Sequence, residues 1–164
     1  MIKQRVIKYL SRKKPQDQLQ EGLTYSHAKK TAILFSEDQD NQALEELKRS
    51  LEQDGKDITT LMLVSKPEKE AEYSHLHFSE KDISLTGKIA SSRLLAFFET
   101  QFDLLLVLDE THTNLTRFIL SKSRAALRAG YYMENNENTL LNLVVRPTDR
   151  SHHAELLAYL RKIA

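Results

Sequence analysis

The sequence predicts an α/β fold: one three-layer, Rossmann-like domain with a mostly parallel sheet, preceded by a basic N-terminal helix. Three observations carry this. Short apolar runs of strand length alternate with amphipathic stretches of helical period, the pattern of a sheet covered by helices. One run, FDLLLVL at 102–108, is apolar on both faces after Asp103, as a central parallel strand must be when helices cover it from both sides. The chain has 164 residues, the size of a single domain, and a chain of this size buries ~70% of its unfolded surface without help from a disulfide or metal.

The elements follow in order. Residues 1–14 read as a helix, with Ile2, Val6, Ile7 and Leu10 near one face, and Pro15 ends it because the residue before proline avoids the helical region. Residues 15–29 are polar and read as a connector, so the α/β domain itself is expected over 30–164. TAILF at 31–35 is a first strand. An amphipathic helix follows with Leu44, Leu47 and Leu51, for which Ser36 or Asp38 could cap the first turn and Asp54-Gly55 the last. ITTLMLV at 58–64 is a second strand and HLHF at 75–78 a short third. After Gly87 comes a helix carrying Ile89, Leu94, Leu95, Phe97 and Phe98, then the central strand. Residues 113–127 are predicted helical through Leu115, Phe118, Ile119 and Ala126. Two strands follow, at 129–132 and 140–145, joined by MENNENT, a loop long enough for an antiparallel hairpin or for two diverging strands. Ser151 opens a last helix that buries Leu156, Leu157, Leu160 and Ile163.

Composition excludes several classes. With 40% hydrophobic and 29% charged residues, 4 Gly and 3 Pro, the chain is neither collagen-like nor disordered. It has no Cys, which removes disulfides, thiolate metal sites and a cysteine nucleophile. No window approaches the ~18 apolar residues of a membrane span, and the basic N-terminus lacks the apolar core of a signal peptide, so a cytosolic location is expected.

Motifs for chemistry are sparse, and no cofactor or metal is expected. A phosphate loop needs closely spaced glycines to aim backbone amides at an anion, and no two glycines here lie closer than 32 residues. Gly87-Lys88 comes nearest, with Asp82 where the first glycine of a P-loop would stand. His75 and His77 would share one side of a strand but lack a third ligand. His152-His153 reads as a solvated helix start, since adjacent helical residues point about 100° apart. Asp109-Glu110-Thr111-His112 follows the central strand, at the edge where α/β sheets bind ligands, and its carboxylates and imidazole suit acid–base work.

Charge segregation is the clearest anomaly in a chain of formal net charge +1. Residues 1–14 carry Lys3, Arg5, Lys8, Arg12, Lys13 and Lys14 and no acid. A second acid-free stretch holds Arg117, Lys122, Arg124 and Arg128, while acids concentrate in 37–57. A basic amphipathic helix suits an anionic surface: ribosomal RNA, an anionic membrane or an acidic protein face. Tyr9 is the only aromatic of the arm, too few for base-specific stacking.

The ordered series Gly87-Lys88-Ile89, Leu95-Ala96-Phe97-Phe98, Phe102-Asp103-Leu104-Leu105-Leu106, Ser121-Lys122-Ser123-Arg124-Ala125, Ala129-Gly130 and Glu155-Leu156-Leu157-Ala158-Tyr159-Leu160 resembles a domain-of-unknown-function family of small cytosolic α/β proteins of Bacteroidetes-type bacteria. The resemblance runs from residue 30 to the C-terminus, includes a basic N-terminal extension, and implies the fold without an activity. Leu85 departs from the aromatic residue common there. The stretch FDLLLVLD, with Arg124 to Tyr131, is also similar to the N-terminal half of heptosyltransferase-type glycosyltransferases. Those need a second nucleotide-sugar domain for which this chain has no room, so that likeness concerns fold alone.

Two functions are therefore expected. The first is a non-catalytic binding module whose basic residues dock on an anionic macromolecule. The alternative is an enzyme or ligand-binding protein using Gly87, Lys88, Asp109 and His112 on a phosphate- or sugar-bearing molecule.

Overall fold

The computed structural model describes residues 2–10, 23–68, 72–132, 140–146 and 153–162. Six strands form one all-parallel sheet. They are β1 (Lys30–Ser36), β2 (Asp57–Leu63), β3 (His77–Phe78), β4 (Leu104–Val107), β5 (Leu127–Tyr131) and β6 (Leu143–Val145). Their spatial order is β3-β2-β1-β4-β5-β6. The helices are α1 (Ile2–Leu10), α2 (Asn41–Gln53), α3 (Ser92–Glu99), α4 (Asn114–Lys122) and α5 (Ala154–Lys162).

The pleat sorts the apolar residues into two layers, because successive side chains of a strand point to opposite faces. On one face Ala32, Leu34, Leu105 and Val107 meet Ile7 of α1, Phe97 and Phe98 of α3, and Phe118 and Ile119 of α4. On the other, Ile33, Phe35, Leu104 and Leu106 meet Leu44, Leu47 and Leu51 of α2 and Leu156, Leu157 and Leu160 of α5. Each such buried side chain contributes about 1.5–3 kcal/mol, so the two layers drive the fold. Phe78, Phe98 and Phe118 form an aromatic nucleus in the first layer, with ring centroids 5.8–6.4 Å apart.

Several boundaries differ from expectation for local reasons. Asp40, not Ser36 or Asp38, caps α2, its carboxylate accepting from the Ala43 amide at 3.0 Å. Ser36 is spent as the last residue of β1, and a turn closed by the Gln39 amide on the Ser36 carbonyl separates strand from helix. The fourth helix stops at Lys122 rather than running to 127. Ser123 leaves the helical region at ψ 138° and its hydroxyl takes the Ala125 amide, the local competition that makes serine a helix terminator. Gly87 lies in a turn five residues ahead of α3, where its φ of 80° favours glycine, and Ser91 caps the helix.

The last two strands neither form a hairpin nor diverge: β6 lies parallel beside β5, with Ala129 opposite Leu143. The MENNENT segment between them lies outside the described residues. Leu140 and Leu141 join the first core layer, and a Cβ on Gly130 would sit 3.0 Å from Leu141 Cδ1 and 3.1 Å from the Val107 carbonyl. Glycine in β5 leaves the room that Leu141 occupies.

The segment read as a polar connector is partly structural. Tyr25 and Ala28 are buried in the second layer, and the Asp103 carboxylate accepts the amides of Lys29 and Lys30 at 2.8 and 2.9 Å. α1 is likewise part of the body: Ile7 is fully buried and the helix packs against α4.

Candidate functional site

The basic residues divide into three groups. Lys3, Arg5 and Lys8 are on α1, Lys3 half-buried and the other two exposed, and α1 has no acidic residue. Arg12, Lys13 and Lys14 lie outside the described residues. In the second stretch Lys122 and Arg124 are exposed, the Lys122 ammonium 5.3 Å from the centre of the Phe118 ring. Because α1 packs on α4, two acid-free stretches more than a hundred residues apart meet on one helical layer.

Two members of the expected patch do not belong to an open surface. Arg128 is buried at 2% exposure; its Nε donates to the Leu140 carbonyl at 2.8 Å and its Nη1 to the Ala125 carbonyl at 3.3 Å. A buried guanidinium needs such acceptors, and here it ties the 140–142 segment to β5. Arg117 is half-buried and turns back along its helix, donating to the His112 carbonyl and Asn114 Oδ1 at 3.4 and 3.5 Å.

The second region is the carboxyl edge of the sheet. The chain leaves β1 toward β2 on one side and β4 toward β5 on the other, and the crevice between two such strands is the ligand site of open α/β sheets. A cavity of about 310 Å³ lies there. Ser36 ends β1, Asp109 follows β4 and Tyr131 ends β5, and all three line the cavity. Asp109 Oδ1 accepts both the Ser36 amide at 2.9 Å and the Ser36 hydroxyl at 2.5 Å. Burial pushes the Asp109 carboxyl above the usual range, the two Ser36 bonds pull it down, and the nearby Asp38 charge raises it again. On the opposite wall the Tyr131 hydroxyl meets His153 Nδ1 at 2.5 Å, and His153 Nε2 meets Gln39 Oε1 at 3.0 Å. An amide oxygen only accepts, so Nε2 carries the proton and Nδ1 accepts from the tyrosine. Burial, then Glu110 and Glu155, raises the Tyr131 phenol, which keeps it a donor.

The structure separates the four residues of the alternative site. Asp109 lines the cavity; His112 is buried beside it in the chain but does not line it, and neither do Gly87 and Lys88. Gly87 and Lys88 belong to the turn joining Ile83 to Ile89, where the Lys88 amide donates to Ser84 Oγ at 3.0 Å. Of the four residues expected for the alternative ligand pocket, Asp109 alone lines this cavity.

Ser36, Gln39, Tyr131 and His153 are the cavity residues that sequence reasoning missed as a set. His153 is buried, not a solvated helix start. The usable signal was positional: each of Ser36, Asp109 and Tyr131 stands at the carboxyl end of a strand adjoining the reversal of strand order. His75 bonds Thr60 at 3.0 Å and packs edge-on against Phe35, and His77 packs on Tyr73. Among the described residues no three His, Asp or Glu side chains are arranged to hold a metal ion, and no helix is long and apolar enough to cross a membrane.

Comparison with curated proteins finds no match, and comparison with solved structures finds none either. A family model does match, and it covers residues 1–163, α1 included. The chain belongs to that family, a family of unknown function designated DUF6913.

Proposed function

We propose that the protein is a non-catalytic α/β binding module that docks on RNA through the basic layer formed by α1 and α4. The observation that supports this is the packing of α1 on α4, which brings Lys3, Arg5 and Lys8 into the same helical layer as Lys122, with Arg124 two residues past the end of α4 and no acid in either helix. Polyphosphate backbones are held by such clusters through release of condensed counterions.

RNA is favoured over an anionic membrane because a surface helix enters a bilayer with its apolar face, and Ile7 of that face is buried in the protein core. RNA is favoured over an acidic protein face by Tyr9, 67% exposed among the cations of α1, since a base can stack on it. One such ring supports backbone docking with little sequence preference.

The test is fluorescence anisotropy with a labelled mixed-sequence single-stranded RNA between 50 and 200 mM salt, with anionic vesicles as a second arm. Five cationic contacts predict a log–log salt slope of about −3 to −4. K3E/R5E and K122E/R124E should each weaken binding by about tenfold or more and flatten that slope. Affinity indifferent to salt and to both charge reversals, or binding to vesicles but not RNA, overturns the reading.

A further inference from the structure

We infer that the groove between β3 and α3 is a nucleotide-binding subsite, in which a base packs on the rings of Tyr73 and His77 and its phosphate meets Arg93. The inference deepens the RNA reading and rests on it for the source of the nucleotide, one unit of a single strand whose backbone lies on α1 and α4.

β3 ends the sheet, with β2 on one side only. It is two residues long, too short an edge to pair with an added peptide strand. Beside it is a cavity of about 550 Å³, lined by Tyr73, His77, Asp82, Ser91, Arg93 and Leu94 among others, within the size range of small-molecule sites. The phenylalanines of the first core layer are buried, whereas Tyr73 and His77 are half-buried and line the groove, their ring centroids 4.4 Å apart at 44°. His75 is engaged elsewhere, bonded to Thr60 at 3.0 Å and edge-on to Phe35.

The groove holds one arginine and one aspartate, and a nucleotide answers both. Arg93 is exposed on the first turn of α3, where its guanidinium suits a phosphate. The Asp82 carboxylate accepts the Ser79 amide and hydroxyl at 2.8 and 3.1 Å, and its further acceptor sites suit the amino or hydroxyl donors of a nucleoside. α3 belongs to the same helical layer as α1 and α4. Together these helices carry Lys3, Arg5, Lys8, Arg93, Arg117 and Lys122 against Glu99 alone, so Arg93 continues the basic layer toward the β3 edge. A stacked base adds binding that releases no counterion, and the two contributions therefore separate in a salt titration.

The experiment has two arms. In an NMR titration of the full chain, adenosine monophosphate should shift the Tyr73, His77 and Arg93 amides saturably at millimolar concentration, leave the amides of Lys3 to Lys8 unmoved, and lose its effect in Tyr73→Ala. In anisotropy with the labelled single-stranded RNA, Tyr73→Ala should weaken binding about tenfold with the salt slope unchanged, and Tyr73→Phe, which keeps the ring, should stay within about twofold of the unaltered chain. Arg93→Glu should weaken binding and flatten the slope by about 0.7. Undiminished RNA affinity in Tyr73→Ala and Arg93→Glu, both folded by their amide spectra, overturns the subsite; the RNA reading stands if the charge reversals on α1 and α4 still weaken binding. The absence of a saturable adenosine monophosphate shift at these residues overturns the subsite as well. Saturable shifts without any RNA binding overturn the RNA reading and assign the groove to a free nucleotide.

Discussion

The two edges of the sheet both bury charged and hydroxyl groups, but they do so differently. At the amino edge the groups satisfy one another. The Tyr25 hydroxyl donates to Asp54 Oδ2 at 2.6 Å, and Arg161 grips both oxygens of Asp54 at 2.9 and 3.0 Å. Buried Lys56 donates to the carbonyls of Tyr25 and Ala28 and lies 4.1 Å from the Tyr25 ring centre. This cluster staples residues 23–28, the end of α2 and the end of α5 into one unit. At the carboxyl edge Asp109 takes two bonds from Ser36 on one oxygen and lines an open cavity. The first cluster closes on itself, and the second borders open space at the switch point of the sheet.

The two carboxylates make the contrast measurable, because their ionisation shifts in opposite directions. The Arg161 guanidinium and the Tyr25 hydroxyl hold Asp54 below the ordinary carboxylate range, whereas burial holds Asp109 above it. Ionised Asp54 stabilises the fold above its unfolded pKa, and that contribution is lost as pH falls through the folded value. Ionised Asp109 has the reverse sign: its cost is absent in acid and grows as pH rises from the unfolded toward the folded value.

The largest effect is expected at Lys56. Lys56→Met strips two buried carbonyls of a charged donor and should cost about 2–3 kcal/mol in urea denaturation. A loss below about 0.5 kcal/mol would show that the staple is ornamental. Tyr131→Phe removes the donor to His153 and should cost about 1 kcal/mol in urea denaturation. An unchanged stability would show that the Tyr131–His153 bond holds nothing in place. Asp54→Asn should cost about 0.5–1 kcal/mol at pH 7, since the pair with Arg161 is partly exposed, and the deficit should shrink in acid as pH falls from the ordinary aspartate range through the lowered folded value. The smallest effect is expected at Asp109→Asn. An amide oxygen still accepts both Ser36 bonds, so stability at pH 7 should be unchanged or slightly raised, with any gain disappearing near pH 3.5. A marked destabilisation at neutral pH would place Asp109 with Asp54 as a structural group and erase the contrast.

How far the sequence was readable follows the same division. The core strands and helices were legible, because Ala32 to Phe35 and Leu104 to Leu108 alternate between two covered faces and Leu44, Leu47 and Leu51 repeat at a helical period. Asp109 was legible as the residue after the central strand. Its partners were not: Ser36, Tyr131 and His153 are separated from it by 22 to 73 residues, and no local pattern joins them. Arg128 reads as one more surface cation in an acid-free stretch, yet β5 directs it inward onto the Leu140 carbonyl. The helix ends were misread where a serine could act twice, Ser36 as strand end or cap and Ser123 as helix residue or terminator.

By itself the sequence determined the class of fold, the elements that build it and the segregation of its charge, since periodicity and composition are properties of neighbouring residues. Only the tertiary structure decided that the basic leader is seated on α4, that β6 runs parallel to β5, and that the groups meeting at the switch point are Ser36, Asp109, Tyr131 and His153. Those facts depend on which strands become neighbours, and strand order is set by the burial of two helical layers over the whole sheet, a choice that no single stretch of chain encodes.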